Sequence, residues 1–156
     1  MTNTILTRAR LFGADLTSAN LGGANLTNAY LERADLTSAI LLGANLTNAV
    51  LLGANLTNAF LKHTDLTNAR LSDAKLTNAY LERADLTSVR MFGTDLTSTT
   101  LLGANLTDAR YSASTTLPDG TGWTPDTDMT RFTDPDHPQF WRSKRSWSPS
   151  YGGDER

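Results

Sequence analysis

The 156-residue sequence contains no cysteine, which excludes disulfides, thiolate zinc sites, iron–sulfur clusters and cysteine nucleophiles. It also lacks any run of about 18 consecutive apolar residues, the length that a membrane-spanning helix requires. The N-terminal segment MTNTILTRARLF has neither the basic and apolar stretches nor the cleavage site of a secretory signal. These absences predict a cytoplasmic protein, in which Asn-x-Thr sequons such as Asn45-Leu46-Thr47 carry no sugar.

An excess of charge of either sign is also missing. The formal net charge is -2 and the isoelectric point is near 5.6, whereas nucleic acids and anionic membranes attract strongly basic surfaces. The sequence therefore predicts no direct nucleic-acid binding and no membrane binding. With 39% hydrophobic and 19% charged residues, the composition lies within the range of soluble globular domains.

What the sequence does have is a leucine at every fifth position. The series runs from Leu6 to Leu106 without a slip, with Met91 as its one substitute and Tyr111 as its last member. A small residue, usually alanine, precedes each member by two positions. The pattern fills residues 4–113 with 22 units of five residues.

A period of five fits neither a helix nor a flat strand. An α-helix advances by about 100° per residue, so leucines five residues apart would be spread around its whole circumference. On a flat strand, an odd period places consecutive leucines on opposite faces. The leucines share one interior only if the chain turns a corner within each unit, and the pattern therefore predicts a solenoid.

The units ADLTS at 14–18 and ANLTN at 44–48 match the A(D/N)Lxx consensus of the pentapeptide repeat family, which the sequence resembles over residues 4–113. The resemblance implies an all-β fold, a right-handed quadrilateral β-helix with four units per coil and about 5.5 coils. In that family, the central residue and the residue two before it point inward. The implied solenoid core includes Leu16, Leu26, Leu36, Leu46, Leu56, Leu66, Leu76, Leu86, Leu96 and Leu106.

Glycine and asparagine recur two residues after the leucine. Gly13, Gly53 and Gly103 occupy this place in some units, and Asn28 and Asn48 occupy it in others. A type II turn needs a positive φ at its third residue, a conformation that glycine and then asparagine tolerate best. The spacing predicts a type II turn at these corners.

Alternate units differ, so opposite faces of a four-sided coil should be alike. Two faces carry threonine one residue after the leucine, one from Thr7 to Thr107 and the other from Thr17 to Thr97. Stacked threonines form a favourable β-ladder, and we predict that this is their role. An ice-binding threonine array is the alternative.

The other two faces vary from coil to coil, which is typical of recognition surfaces on a regular scaffold. Apolar and aromatic side chains exposed together mark interfaces. The alternative is that a β-surface simply favours branched and aromatic residues. The candidate interaction surface comprises Tyr30, Ile40, Leu42, Val50, Leu52, Phe60 and Tyr80.

The two ends of the solenoid differ. The register stops after Tyr111, and Pro-Asp-Gly at 118–120 predicts a turn. The apolar lid of a C-terminal cap is predicted to include Trp123, Met129, Phe132, Phe140 and Trp141. The N-terminal coil has no comparable lid, which makes it a second candidate association surface, either head to head with a second copy or against another chain.

Four segments follow from these observations. We predict a lead-in at 1–3, a solenoid at 4–113, a cap at 114–141 and a mobile tail at 142–156.

No constellation of residues predicts catalysis. His63 and His137 are separated by much of the implied rod, and no pairing of nucleophile and base can be assigned. Asp134, Asp136 and His137 could contact a cation, although an Asp/Pro-rich turn accounts for them better. The sequence predicts a protein that is not an enzyme and uses no cofactor and no metal.

The leading functional prediction is a non-catalytic scaffold or protein–protein interaction module, with an unidentified protein partner or self-association. The alternative comes from the resemblance, because some family members mimic duplex DNA, bind type II topoisomerases and protect against quinolones. Such mimicry requires an acidic rod, whereas residues 4–113 contain nine acidic and nine basic side chains. The leucines at the central positions and the lack of an inserted loop are further departures from those members.

Overall fold

The computed structural model describes residues 3–141. The segment 142–156, predicted to be a mobile tail, lies outside the described residues. The only α-helix among the described residues is α1 (Thr130–Thr133). The remaining regular structure consists of single-residue β-bridges. Continuous strands do not form along the repeats, because a corner every five residues leaves one bridging residue on each side of the coil.

Parallel bridges join residues that are 20 positions apart. The ladders begin with Ile5 and Asn25 and keep this spacing as far as Arg90 and Arg110. Backbone hydrogen bonds run both ways between coils: Asn45 N–H donates to Ala24 O at 2.9 Å, and Leu26 N–H donates to Asn45 O at 2.7 Å. Twenty residues correspond to four units, so each coil has four sides, as the resemblance implied.

Each unit ends in a tight turn. In the unit of Leu46, the Ala49 N–H donates to Leu46 O at 2.9 Å, and Asn48 between them has φ of 58°. A positive φ at the third turn residue alone defines a type II turn. The same left-handed conformation occurs where the sequence gave no signal for it, at Arg33, Ser38 and His63 among others. Side chains with a Cβ pay roughly 1–2 kcal/mol in this conformation, so many corners of this fold are strained.

The interior is a single axial column of leucine and alanine. From Leu21 to Leu101, the inward leucines are at most 3% exposed. Leu16 and Leu106, which were predicted to belong to the core, are only partly buried and pack against it. They lie near the two ends of the repeat, where a neighbouring coil is present on one side only. Alternation of small and large side chains fills the narrow axis at the density of a protein interior.

Four threonines replace alanine inside the column: Thr64, Thr94, Thr99 and Thr115. Each hydroxyl donates to a turn carbonyl of the preceding coil, as Thr64 Oγ1 does to Leu41 O at 2.9 Å. Leu41 O also accepts the Ala44 N–H of its own turn, so the hydroxyl uses the second lone pair of that oxygen. The interior therefore contains polar groups only where the turn carbonyls provide acceptors.

A matched pair of substitutions tests this arrangement. We expect Thr99→Val to lower the free energy of unfolding by about 0.5–1.5 kcal/mol, because it removes the 2.7 Å bond to Leu76 O. The reverse change Val89→Thr should cost less than about 1 kcal/mol, because the Leu66 carbonyl stands in the equivalent position to accept its hydroxyl. Urea unfolding of both variants measures the difference. A large loss in Val89→Thr would contradict the proposed role of the carbonyls.

The repeat continues further than the sequence predicted. Leu96 N–H donates to Thr116 O, a spacing of 20 residues, whereas the equivalent bonds in earlier coils span 19 residues. One extra residue is thus inserted before Thr116. Beyond it, Thr115 and Leu117 occupy buried positions, and Gly120 N–H closes a turn on Leu117 O at 2.9 Å. The predicted boundary at 113 is therefore wrong by one unit, because the insertion hid that unit from a strict five-residue pattern.

The C-terminal segment then folds over the last coil. Thr116 pairs antiparallel with Gly122 across the predicted Pro-Asp-Gly turn, where Gly120 has φ of 85°. The helix α1 follows, and its Thr133 O accepts the Gly103 N–H at 2.7 Å, in place of a carbonyl from a further coil. Phe132 is 2% exposed.

Candidate interaction surface

The two threonine faces are hydrogen-bonded networks. Within a unit, the Asp35 Oδ1 accepts both the N–H and the hydroxyl of Thr37, at 2.9 and 2.5 Å. Between coils, Asn55 Nδ2 donates to Thr37 Oγ1 at 2.9 Å. The same pairing of an acidic or amide side chain with the threonine two residues later recurs on both faces. The sequence predicted stacked threonines, but it did not reveal that the preceding Asp or Asn binds them.

These contacts also set the ionisation of the carboxylates. Burial alone would raise the pKa of Asp95, but hydrogen bonds from Thr97 and Thr77, together with the charge of Lys75, bring it below its usual value. The side-chain and backbone hydrogen bonds from Thr17 likewise lower the pKa of Asp15. Carboxylates with lowered pKa values stay ionised near neutral pH and accept hydrogen bonds, which does not suit them to donate protons as general acids.

The structure divides the predicted interaction residues between two faces. We define the apolar face by the bridged column Asn20, Ile40, Phe60, Tyr80 and Thr100. The rings of Phe60 and Tyr80 stack with centroids 5.1 Å apart and an interplanar angle of 4°. Ile40, Phe60 and Tyr80 are half-buried, and Leu42 beside Ile40 is 37% exposed. The apolar face thus presents an ordered aromatic pair flanked by aliphatic side chains.

The opposite side carries the rest of the predicted surface. We define the arginine face by the bridged column Arg10, Tyr30, Val50, Arg70, Arg90 and Arg110. Tyr30 is 46% exposed, whereas Val50 and Leu52 are half-buried. Because the two columns are two units apart in a coil of four, they lie on opposite sides of the rod. The seven predicted residues therefore form two separate surfaces.

The ends of the rod differ as predicted from the lack of an N-terminal lid. Ile5 is 79% exposed, and Leu6 and Leu11 are only partly buried against the core. At the other end, Trp123, Met129 and Trp141 pack against the core, and Trp123 stacks on Tyr111 with centroids 5.6 Å apart. Phe140 is half-buried.

Burial raises the pKa of Tyr111 well above its usual range. No described residue accepts or donates a hydrogen bond at its hydroxyl. Its ring therefore serves the packing of the cap.

The cap contains a shallow depression of about 350 Å³. Arg131, on its wall, pairs with Asp119 and also lies over the Phe132 ring. The nearby Asp128 accepts the N–H and hydroxyl of Thr130, which lower its pKa, and stands 3.2 Å from His137 Nε2. These side chains already bind one another, so the depression offers no free nucleophile.

The candidate cation ligands do not converge. Asp134 Oδ1 accepts the Asp136 N–H at 2.9 Å, and His137 Nδ1 accepts the Gln139 N–H at 3.0 Å. Within residues 3–141, no group of three or more histidine or acidic side chains could hold a metal ion. The segment is built as a hydrogen-bonded turn. Over the same residues, no helix is long and apolar enough to cross a bilayer.

Comparisons with known proteins agree with the geometry. The family model described as pentapeptide repeats matches in eight copies, with matched segments extending from residue 1 to residue 110. Among curated protein sequences, none matches the chain.

Two solved structures are similar to the chain. One is a pentapeptide repeat protein from the Arabidopsis thaliana thylakoid lumen, with 32% identity over 62% of this chain and 67% of that chain, and a TM-score of 0.61. The second is HetL, a pentapeptide repeat protein involved in heterocyst differentiation regulation in the cyanobacterium Nostoc sp. strain PCC 7120. It has 30% identity and a TM-score of 0.50, and the match covers 78% of this chain but only 62% of HetL.

Proposed function

Because the chain belongs to the pentapeptide repeat family, we propose that it is a non-catalytic scaffold that presents a rigid β-solenoid surface to a protein partner or to a second copy of itself. In this proposal, the rod is a right-handed quadrilateral β-helix of about 5.5 coils and works in the cytoplasm. The family comprises repeat scaffolds, and HetL, a similar structure, has a regulatory role.

The observation that carries the proposal is the apolar face. Ile40, Phe60 and Tyr80 are fixed by consecutive parallel bridges, and the stacked rings hold each other in place. A binding surface that is ordered before association loses little conformational entropy on docking. Aromatic anchors among aliphatic neighbours are the side chains that contribute most to protein interfaces.

DNA mimicry is less well supported by the charge distribution. A mimic of duplex DNA must present negative charge over the length of the rod. The balanced charge of residues 4–113 conceals a different arrangement, in which one face carries an excess of arginine and the two threonine faces carry an excess of acid. Such a rod presents both signs of charge.

Substitutions on the apolar face test the proposal. We expect Phe60→Glu and Ile40→Glu each to abolish association while the far-ultraviolet circular dichroism stays unchanged, because a desolvated carboxylate in an apolar interface is strongly unfavourable. Light scattering measures self-association, and pull-down from the native host measures partner binding.

A matched control comes from a threonine face. Asn45→Asp adds the same charge at an exposed position whose column already contains Asp65 and Asp85, and it should leave association unchanged. If Phe60→Glu and Ile40→Glu associate as well as the unmodified protein, the apolar face is not the interface.

A further inference from the structure

Three arginines stand directly above one another on the arginine face. Parallel bridges join Arg70 to Arg90 and Arg90 to Arg110, so their side chains project from consecutive coils. Adjacent coils are separated by about 4.8 Å, the ordinary spacing of paired β-chains. All three side chains are exposed. Like charges placed opposite each other on a β-surface are destabilising, so the fold itself gains nothing from this stack.

The stack is not neutralised from within the described chain. Among residues 3–141, no carboxylate lies within 4.0 Å of these three guanidinium groups. Their neighbours one position after the inward residue are Ser72, Phe92 and Ser112, and Phe92 is 41% exposed. The stack thus combines unpaired arginines with an exposed aromatic ring, the two side-chain types most enriched at protein interfaces.

Charge is segregated around the rod. The arginine face has a formal net charge of +3, from Arg10, Arg33, Arg70, Arg90 and Arg110 against Glu32 and Asp73. Each neighbouring threonine face has a net charge of -2, from Asp65, Asp85 and Asp108 against Arg8 on one, and Asp15, Asp35 and Asp95 against Lys75 on the other. A positive strip one face wide therefore lies between two negative faces.

We infer that the stack of Arg70, Arg90 and Arg110 is a docking site for an extended acidic segment of a protein partner. This inference rests on the proposed scaffold function and supplies the chemistry of the partner. Arginine binds carboxylates through two parallel N–H···O bonds. The three side chains span roughly 10 Å, a length that about three or four extended residues cover, so the segment carries two or three carboxylates within that length.

The width of the strip selects this class of partner. A membrane or a nucleic-acid duplex spreads its negative charge over a surface wider than one face and would meet the acidic threonine faces on both sides. A single nucleic-acid strand is narrow enough, but it gains affinity by stacking successive bases on several aromatic side chains. Among the described residues beside the stack, Phe92 is the only exposed large aromatic.

A titration with a defined probe tests the inference. The probe is a fluorescein-labelled oligoglutamate of roughly eight residues, long enough to cover the stack. We expect the triple variant Arg70→Gln, Arg90→Gln, Arg110→Gln to bind it roughly tenfold more weakly or worse than the unmodified protein, with a smaller dependence on salt. Removal of the repulsion within the stack should keep or raise the unfolding temperature, which confirms that the variant folds.

The matched control removes three positive charges elsewhere. Arg8, Lys75 and Arg83 are exposed and lie outside the arginine face, and their replacement by glutamine should change the affinity less than about threefold. Equal losses in the two triple variants would overturn the inference, because net charge alone would then explain binding. Absence of oligoglutamate binding by the unmodified protein at low salt would also overturn it.

Further probes separate the alternative partners. Tighter binding of an oligothymidylate or of phosphatidylserine vesicles than of oligoglutamate, lost in the arginine-face variant, would replace the acidic protein segment by a nucleic acid or a membrane. The titration does not depend on Ile40 or Phe60. A negative result here therefore leaves the apolar-face test intact, and loss of the apolar-face interaction leaves this titration interpretable.

Discussion

Replacement of Leu56 with alanine should lower the free energy of unfolding by about 2–5 kcal/mol. Leu56 is 1% exposed and lies in the middle of the axial column, with complete coils on both sides. The surrounding backbone is tied to both neighbouring coils by hydrogen bonds, so the walls cannot collapse into the space that the side chain leaves. Urea unfolding followed by circular dichroism measures the change.

The control is the same substitution on the outside. Leu102 is 42% exposed, and Leu102→Ala should cost less than about 0.5–1 kcal/mol. If the two variants lose equal stability, the axial column does not hold the coils together as we describe.

Replacement of Phe132 with alanine should destabilise the cap by about 3–5 kcal/mol, because the ring is the largest fully buried side chain. Terminal caps of solenoids can open without the coils, so the loss should appear first in the cap. The chain has three tryptophans, Trp123, Trp141 and Trp147, all of which follow the last coil. Tryptophan fluorescence therefore reports on the C-terminal segment and circular dichroism on the coils.

We expect the fluorescence transition of Phe132→Ala to move to lower urea concentration than its circular dichroism transition. Phe12→Ala provides the comparison, because Phe12 is 65% exposed in the first coil and should leave both transitions in place. Coincident transitions in Phe132→Ala that match those of the unmodified protein would show that the ring does not secure the cap.

The repeat itself could be predicted from sequence because its physics is local. A leucine every fifth residue excludes helix and flat strand, and the glycines mark turns that need positive φ. The pairing of residues 20 apart followed from the family resemblance and appears in the bridges. Arg33 and His63 show the limit of this reasoning, because neither residue type signals the left-handed corner that it occupies. The neighbouring turns impose that conformation against the preference of the residue.

The end of the repeat and the binding surfaces were harder to predict for different reasons. A single inserted residue before Thr116 breaks a strict period while the backbone ladder continues, since a loose corner absorbs it. The buried hydroxyl of Thr64 depends on a carbonyl 23 residues earlier, which is close only once the coil has formed. The arginine stack was present in the sequence as positions 70, 90 and 110, but a total charge near zero concealed it.

The pairing of each residue with the one 20 positions later also determines how such a protein can change in length. Deletion or duplication of 20 residues removes or adds one whole coil and leaves every remaining column on its own side of the rod. A change of five residues turns all later units by one side and would place threonine units above variable ones, and a change of ten exchanges the apolar and arginine columns. Gene duplications that preserve the surfaces of this protein are therefore restricted to multiples of one coil, even though the sequence repeats every five residues.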